Sequence, residues 1–304
     1  MRGPAAAAAI ALLLAALAAA GCGLGPGSGV GDVELTVTRD YGTVPVLHRS
    51  LGDVTESDTV MRALERSTDI STRYGGGFVQ SIGGLEAEES VDRSLDWFFY
   101  VDGVESTVGA ADYPLQGGES IWWDYRDWGA AMRVPAVVGS WPQPFLDGYE
   151  GKARPVAVEC LGGGAACAEA EGRLEDAGVE LSPRPRGGAI RVLVGPWARL
   201  RTDPAAGQID DGPQASGVFA DFQQGASGER LVGLDESGHE GVRLGPDAGL
   251  VAATRRFEAP PVWVVTGATQ GGVLAAAGLL DSADLRDHYA VAVEGKRKTA
   301  LPVR

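Results

Sequence analysis

The chain is 304 residues long, carries 41 acidic residues against 26 Lys and Arg for a formal charge of −15, and contains 3 cysteines. The acid is unevenly placed: Asp32 to Glu150 holds 21 acidic and 8 basic residues and no lysine, whereas the chain from Gly151 onward holds 20 and 17. A surface of that sign repels nucleic acid and anionic lipid headgroups, which makes both poor partners, and it admits neutral, cationic or amphipathic ligands.

Arg2 followed by the Ala/Leu/Ile run of residues 5–20 has the length of a secretory signal and falls short of a spanning helix. The run ends in Leu17-Ala-Ala-Ala-Gly-Cys22, which resembles a bacterial lipobox, with Ala19 where that pattern prefers leucine. The expectation is a signal peptide over residues 1–21, cleavage before Cys22, and lipidation of that thiol, so that the mature chain sits outside the cytoplasm on a membrane anchor. The alternative is an ordinary secretory signal cleaved near Ala20. Residues 22–32, glycine-rich, then read as a flexible tether.

Val33 to Thr38 alternates apolar and polar residues and predicts a half-buried strand. Ser57 or Thr55 can cap a helix through Val60, Met61 and Leu64 to Ser67, with Asp58 in its first turn. Phe78 to Ile82 predicts a short strand bracketed by glycine turns. Leu95 to Val101 predicts a stronger one, followed by Asp102-Gly103, a type I′ hairpin signal, and a return over Val104 to Val108. A turn over Tyr113 to Gly118 leads to a last strand, Ile121 to Asp127. One helix beside several strands is the α+β class, and the order suggests a β-grasp-like mixed sheet.

The segments Tyr74-Gly-Gly-Gly-Phe-Val-Gln-Ser-Ile-Gly-Gly84, Trp97-Phe-Phe-Tyr-Val-Asp-Gly103 and Gly117 to Tyr125 together resemble the transcobalamin C-terminal-like domain, a β-grasp family, over about Val33 to Asp127. Asp102 stands where that family usually has asparagine, and Glu119 follows Gly118 where it has aspartate; both keep the turn chemistry. The resemblance implies binding of a soluble ligand, with a corrinoid as one family member's use and delivery to a transporter as one outcome. The helical domain that closes over the corrin in the carriers has no counterpart here.

Residues 130–149, with Pro135, Pro142 and Pro144, read as an irregular extension, so that the first domain spans 33–150. In the second domain, 151–304, strands at 155–158, 190–195, 231–234, 262–265 and 289–293 alternate with helices at 165–177 and 271–280, a small α/β domain of unknown role. Cys160 and Cys167 predict a disulfide in an oxidising compartment, and no nearby histidine or further cysteine completes a zinc set.

Five of the seven tryptophans fall between positions 97 and 141. In the strand Ile121 to Asp127, period two puts Ile121, Trp123 and Tyr125 on a core face and Trp122, Asp124, Arg126 and Trp128 on the other. The second set is the leading ligand-binding candidate, indoles to stack on a planar group and fixed charges to orient it. The alternative is internal packing, with Arg126 stacked on Trp122 or Trp128, paired with Asp124 and locking the strand against the 130–141 extension. Tyr74 and Phe78, walling a triple-glycine turn, are a second candidate. Thr266 to Gly272, as an anion cradle, and Asp235 to Glu240, as a metal loop, are weaker. His48, His239 and His288 lie in unrelated contexts, so no catalytic group, metal site or cofactor is assigned. The leading reading is a lipid-anchored binding protein for a small or medium ligand. The alternative is an envelope protein-protein interaction module with no small-molecule ligand.

Overall fold

The computed structural model describes residues 27–91, 93–162, 164–183, 187–225 and 228–304. The signal peptide and Cys22 lie outside the described residues. The class is α+β. The first half consists of strands β1 (Gly29–Arg39) and β2 (Val44–Thr55), helix α1 (Val60–Ser67), β3 (Ile70–Arg73), β4 (Phe78–Ile82), β5 (Leu85–Glu86), β6 (Glu88–Glu89), β7 (Ser94–Val101), β8 (Val104–Glu105) and β9 (Ser120–Asp127). Its main sheet runs β2-β1-β9-β7-β6. The central pair β1 and β9 is parallel, and β9 runs antiparallel to β7.

The tether expectation is corrected here, because β1 begins at Gly29 and pairs with β2 from its first residue. Helix α1 begins later than the sequence suggests. Thr59 caps it by accepting from the Arg62 N–H, and Asp58 instead binds the Thr55 N–H and hydroxyl and the Arg66 guanidinium. The hairpin at Asp102-Gly103 forms as predicted, with both residues at positive φ (53° and 75°) as a type I′ turn demands. The return strand after it stops at Glu105.

One face of the main sheet packs on α1 and the β3–β4 hairpin. Val33, Leu35 and Val37 from β1 meet Ile121, Trp123 and Tyr125 from β9 and Val60 and Leu64 from α1, the core face that period two indicates. Strand burial continues on the other side, so β9 is buried at every residue from Ile121 to Arg126.

The second half supplies β10 (Val156–Cys160), α2 (Gly164–Asp176), β11 (Ile190–Pro196), α3 (Trp197–Leu200), α4 (Pro213–Ser216), β12 (Ala220–Gly225), β13 (Gly228–Leu234), β14 (Glu240–Arg243), β15 (Gly249–Thr254), β16 (Val262–Gly267), α5 (Gln270–Ala277), α6 (Ser282–Leu285), β17 (Ala290–Glu294) and β18 (Arg297–Leu301). Its six-stranded sheet runs β10-β11-β16-β15-β17-β18, parallel over the first three strands and antiparallel after them, with β12-β13-β14 as a separate sheet. Helices α2 and α5 cover one face together with Trp141, Phe145 and Tyr149 of the connecting segment. Cys160 and Cys167 form the predicted disulfide between the end of β10 and α2.

The opposite face of this sheet shares one core with the first half. Tyr41, Tyr100, Trp122, Val134 and Val137 sit in the same cluster as Phe219, Leu250, Val264 and Tyr289. The ring of Tyr289 lies 5.0 Å from that of Tyr41, 5.7 Å from Tyr100 and 5.3 Å from Trp122, in edge-to-face geometry. The two halves therefore unfold as one body. Tyr289→Ala is expected to lower stability by about 3–5 kcal/mol. Hydrogen exchange should show the same loss of opening energy in peptides from β9 and from β15. Loss confined to the second half would contradict a shared core.

Candidate functional site

Strand β9 aims Trp122, Asp124 and Arg126 away from α1, and the structure places all three inside the joint between the halves. This corrects the platform expectation. The indole N–H of Trp122 donates to Thr38 Oγ1 at 2.8 Å, and Thr38 Oγ1 donates to Asp124 Oδ1 at 2.6 Å. The Gly42 N–H donates to the same oxygen at 3.1 Å. From the second half Tyr289 donates its hydroxyl to Asp124 Oδ2 at 3.0 Å, and Tyr100 donates to Tyr289 at 3.3 Å. The turn that carries Gly42 fits closely: a Cβ there would stand 1.7 Å from the Asp287 carbonyl oxygen.

Arg126 lies flat over the Phe98 ring, 3.8 Å from its centroid, and donates to the carbonyls of Asp127, Ala131 and Met132. It holds the irregular extension against β9, as the packing alternative requires, although its stacking partner is Phe98 and not a tryptophan. Trp128 stands just past the strand, half-buried, its backbone N–H donating to the Ser94 carbonyl. No local signal marks the sealing: the partner across the joint, Tyr289, stands just ahead of β17, 165 residues from Asp124.

Burial pushes the Asp124 carboxyl up from the ordinary 3.8 to about 6, against the three donors and Arg126, which pull it down. Burial also raises the hydroxyls of Tyr41, Tyr100 and Tyr289. The network is closed, and a planar ligand cannot reach it without parting the halves.

Tyr74 and Phe78 are placed as an exposed pair. β3 and β4 pair from Ile70↔Ile82 to Arg73↔Phe78, and residues 74–77 form the tip. Tyr74 is 86% exposed and Phe78 39%, with ring centroids 6.2 Å apart, edge to face. Gly75 and Gly76 take positive φ (76° and 97°), and so does Tyr74 (53°), an unusual state for a bulky residue that recurs at functional positions. Beside the tip, a Cβ added to Gly109 would stand 3.8 Å from the Gly77 carbonyl oxygen, and Val108 is 48% exposed. A shallow recess of about 360 Å³ runs from Val108 past Tyr113 and Gln116 to Glu150.

The weaker candidates resolve into structure. Thr269 caps α5 and donates to the Asp247 carboxylate at 2.6 Å, which puts a negative charge where an anion would sit. Asp235 accepts from the N–H groups of Ser237 and His239, closing a turn. His48 approaches Glu34 and Thr36, far in the chain from that turn. Among the described residues no group of three or more His, Cys, Asp or Glu side chains is placed to hold a metal ion. A groove of about 820 Å³ opens where the halves meet, between Asp40, Arg93, Glu236, Arg297 and Arg304.

Residues 57–127 match a family described as a domain of unknown function, DUF4430. The match takes in α1, the aromatic tip, β7 and β9. No curated protein matches the chain. A solved structure from Ruminococcus gnavus ATCC 29149, provisionally named a metal-binding protein, covers 32% of this chain and 97% of its own at 14% identity and a TM-score of 0.25, a likeness too low to support any argument.

Because Asp124 protonates more readily folded than unfolded, its contribution to stability is complete below about pH 4 and is lost as pH rises through 6. Asp96, Asp102, Glu105, Glu119 and Asp287, also raised by burial, act in the same direction. Comparison with Asp124→Asn isolates the one group. The advantage of the native chain over the variant should shrink by roughly 2 kcal/mol between pH 4 and pH 7. Urea unfolding at a series of pH values measures it, and a pH-independent difference would refute the assignment.

Proposed function

We propose that the protein is a lipid-anchored extracytoplasmic contact module, a rigid two-part body whose working surface is the Tyr74–Phe78 tip. The reading takes the first half as a transcobalamin C-terminal-like β-grasp domain, supported by one helix packed on a mixed sheet with a parallel central pair. The lipobox at Cys22 supports the anchor and the location outside the cytoplasm.

One observation carries the choice between ligand carrier and contact module. Trp122, Asp124 and Arg126 are spent in joining the halves, whereas Tyr74 and Phe78 stand on a convex tip. Small-molecule sites enclose most of the ligand in a cleft. An exposed aromatic pair on a strained turn suits a broad surface instead. The corrinoid reading, which needs the aromatic strand open, has no floor to build on. Transport delivery lacks support for the same reason.

The test has three readouts. Intact-mass analysis of the membrane-extracted protein should show a chain beginning at acylated Cys22. Titration with cobalamin and porphyrins should leave the tryptophan emission unchanged, and saturable quenching at micromolar concentration would restore the ligand reading. A photo-crosslinking amino acid at position 74 should give a discrete adduct in envelope membranes, while the same probe at Val46, 49% exposed on β2, gives none. The double variant Tyr74→Ala, Phe78→Ala should change stability by no more than about 0.5 kcal/mol. Equal labelling at 74 and 46 would reject the tip as a contact surface.

A further inference from the structure

The tip's neighbours in space give it a specific orientation relative to the anchor. Gly27, the first described residue, packs on Glu56, and the Ser28 carbonyl accepts from the Glu56 N–H at 3.1 Å. Two residues on, the Asp58 carbonyl accepts from Leu115, and the first residues of α1 are tied to the same loop: Val60 N–H to the Tyr113 carbonyl, Met61 N–H to the Ala110 carbonyl. That loop continues to Gly109, where an added Cβ would stand 3.8 Å from the Gly77 carbonyl oxygen, so the loop runs beside the tip. The start of the described chain, the N-terminus of α1, the 108–118 loop and the aromatic tip thus share one end of the sheet. The other end, the turn at Asp40 to Gly42, is buried against the second half at Asp287. β1 runs between the two ends over 11 residues, about 33 Å.

Five peptide links separate Cys22 from Gly27, a reach of at most about 18 Å. An acyl chain on Cys22 therefore holds the tip end of the molecule toward the leaflet and points the Asp40 to Gly42 turn away from it. We propose that the partner of the tip is that bilayer surface: Tyr74, Phe78 and Val108 form a second, non-covalent membrane contact that fixes the tilt of the anchored protein. The proposal rests on the lipid-anchored reading above.

The chemistry of the tip fits. Tyrosine at a membrane interface places its ring among the acyl carbonyls and its hydroxyl in water, and phenylalanine enters slightly deeper. Arg73, exposed on β3 beside them, can lay its stem along apolar surface with the guanidinium at headgroup level. Acyl anchoring becomes persistent and oriented when a second contact adds to the chain. The charge sets the lipid class. With 21 acidic against 8 basic residues in this half, the contact favours zwitterionic headgroups and is weakened by anionic ones.

Cys22 is the one cysteine outside the disulfide. The mature chain can therefore be coupled through it to a maleimide lipid in phosphatidylcholine vesicles, whether or not cells acylate it. Tyr74→Trp is the reporter, Val46→Trp the control near the turn end of β2, where Pro45 pairs with Thr38. With brominated lipid, the emission added by Tyr74→Trp should fall at least about twofold, and Val46→Trp should not respond. Phe78→Ala should reduce the quenching, and so should phosphatidylglycerol in the vesicles. Absence of quenching at Tyr74→Trp, or equal quenching at both positions, overturns the proposal. A crosslinked protein adduct at position 74 without lipid quenching overturns it in favour of a protein partner. Failure of acylation in cells would show in the mass and leave the vesicle result to be read by itself.

Discussion

The structure turns on one buried carboxylate. Asp124 sits at the centre of β9 with Thr38 and the Gly42 N–H on its own side of the joint and Tyr289 across it, and it is fully buried between the two halves. A carboxylate with three donors contributes little net stability compared with an apolar contact of the same shape, but removing one partner leaves a buried acceptor unsatisfied. Such a link tolerates one geometry. Apolar contacts among Tyr41, Tyr100, Trp122 and Tyr289 supply the adhesion, and the hydrogen bonds to Asp124 set the angle at which the halves meet.

Both faces of the main sheet being covered explains the composition of β9. A half-exposed strand alternates apolar and polar residues, whereas Ser120 to Asp127 is aromatic on one side and amphipathic on the other. The charged residues on the second side are not solvent-facing. Arg126 donates to two carbonyls of an extension that has no strand or helix of its own to satisfy them, those of Ala131 and Met132, which is how an irregular segment can run through an interior. Arg255, from the second half, meets the far end of that segment, its guanidinium near the Tyr149 ring and paired with Glu150 at 3.1 Å.

Much of the local structure was legible in the residues. Alternation marked β1, β9 and their inward face, Asp102-Gly103 marked its hairpin, and the cysteine spacing marked the disulfide. β2 was not legible, because Val44 to Thr55 is an edge strand with little buried surface and so no clean period. β12, β14, β15 and β18 were missed as well; in β15, buried throughout, no alternation is required. The sealing of Trp122, Asp124 and Arg126 was beyond reach for a different reason. Period two assigns a side chain to a face, and says nothing about what a segment 165 residues away lays over that face. The Tyr74 and Phe78 pair was visible as aromatics on glycines, but its exposure follows from hairpin geometry.

The rigidity of the joint has a consequence for the groove at the distal end. Arg93 approaches Asp127 at 3.8 Å and Glu236 at 3.7 Å, and Arg304 reaches Glu236 at 3.4 Å and Asp40 at 2.9 Å. Acid and base alternate across the seam between the halves. Each of these pairs is partly exposed, so each contributes little by itself and is screened by salt. Their value lies in register. A ladder of alternating charge matches at one offset of the halves and clashes at others, and it reinforces at the rim what Asp124 enforces inside. The same ladder consumes the groove's charges internally. The seam therefore reads as a joint, and the exposed aromatic pair of Tyr74 and Phe78 lies away from it on the β3–β4 hairpin.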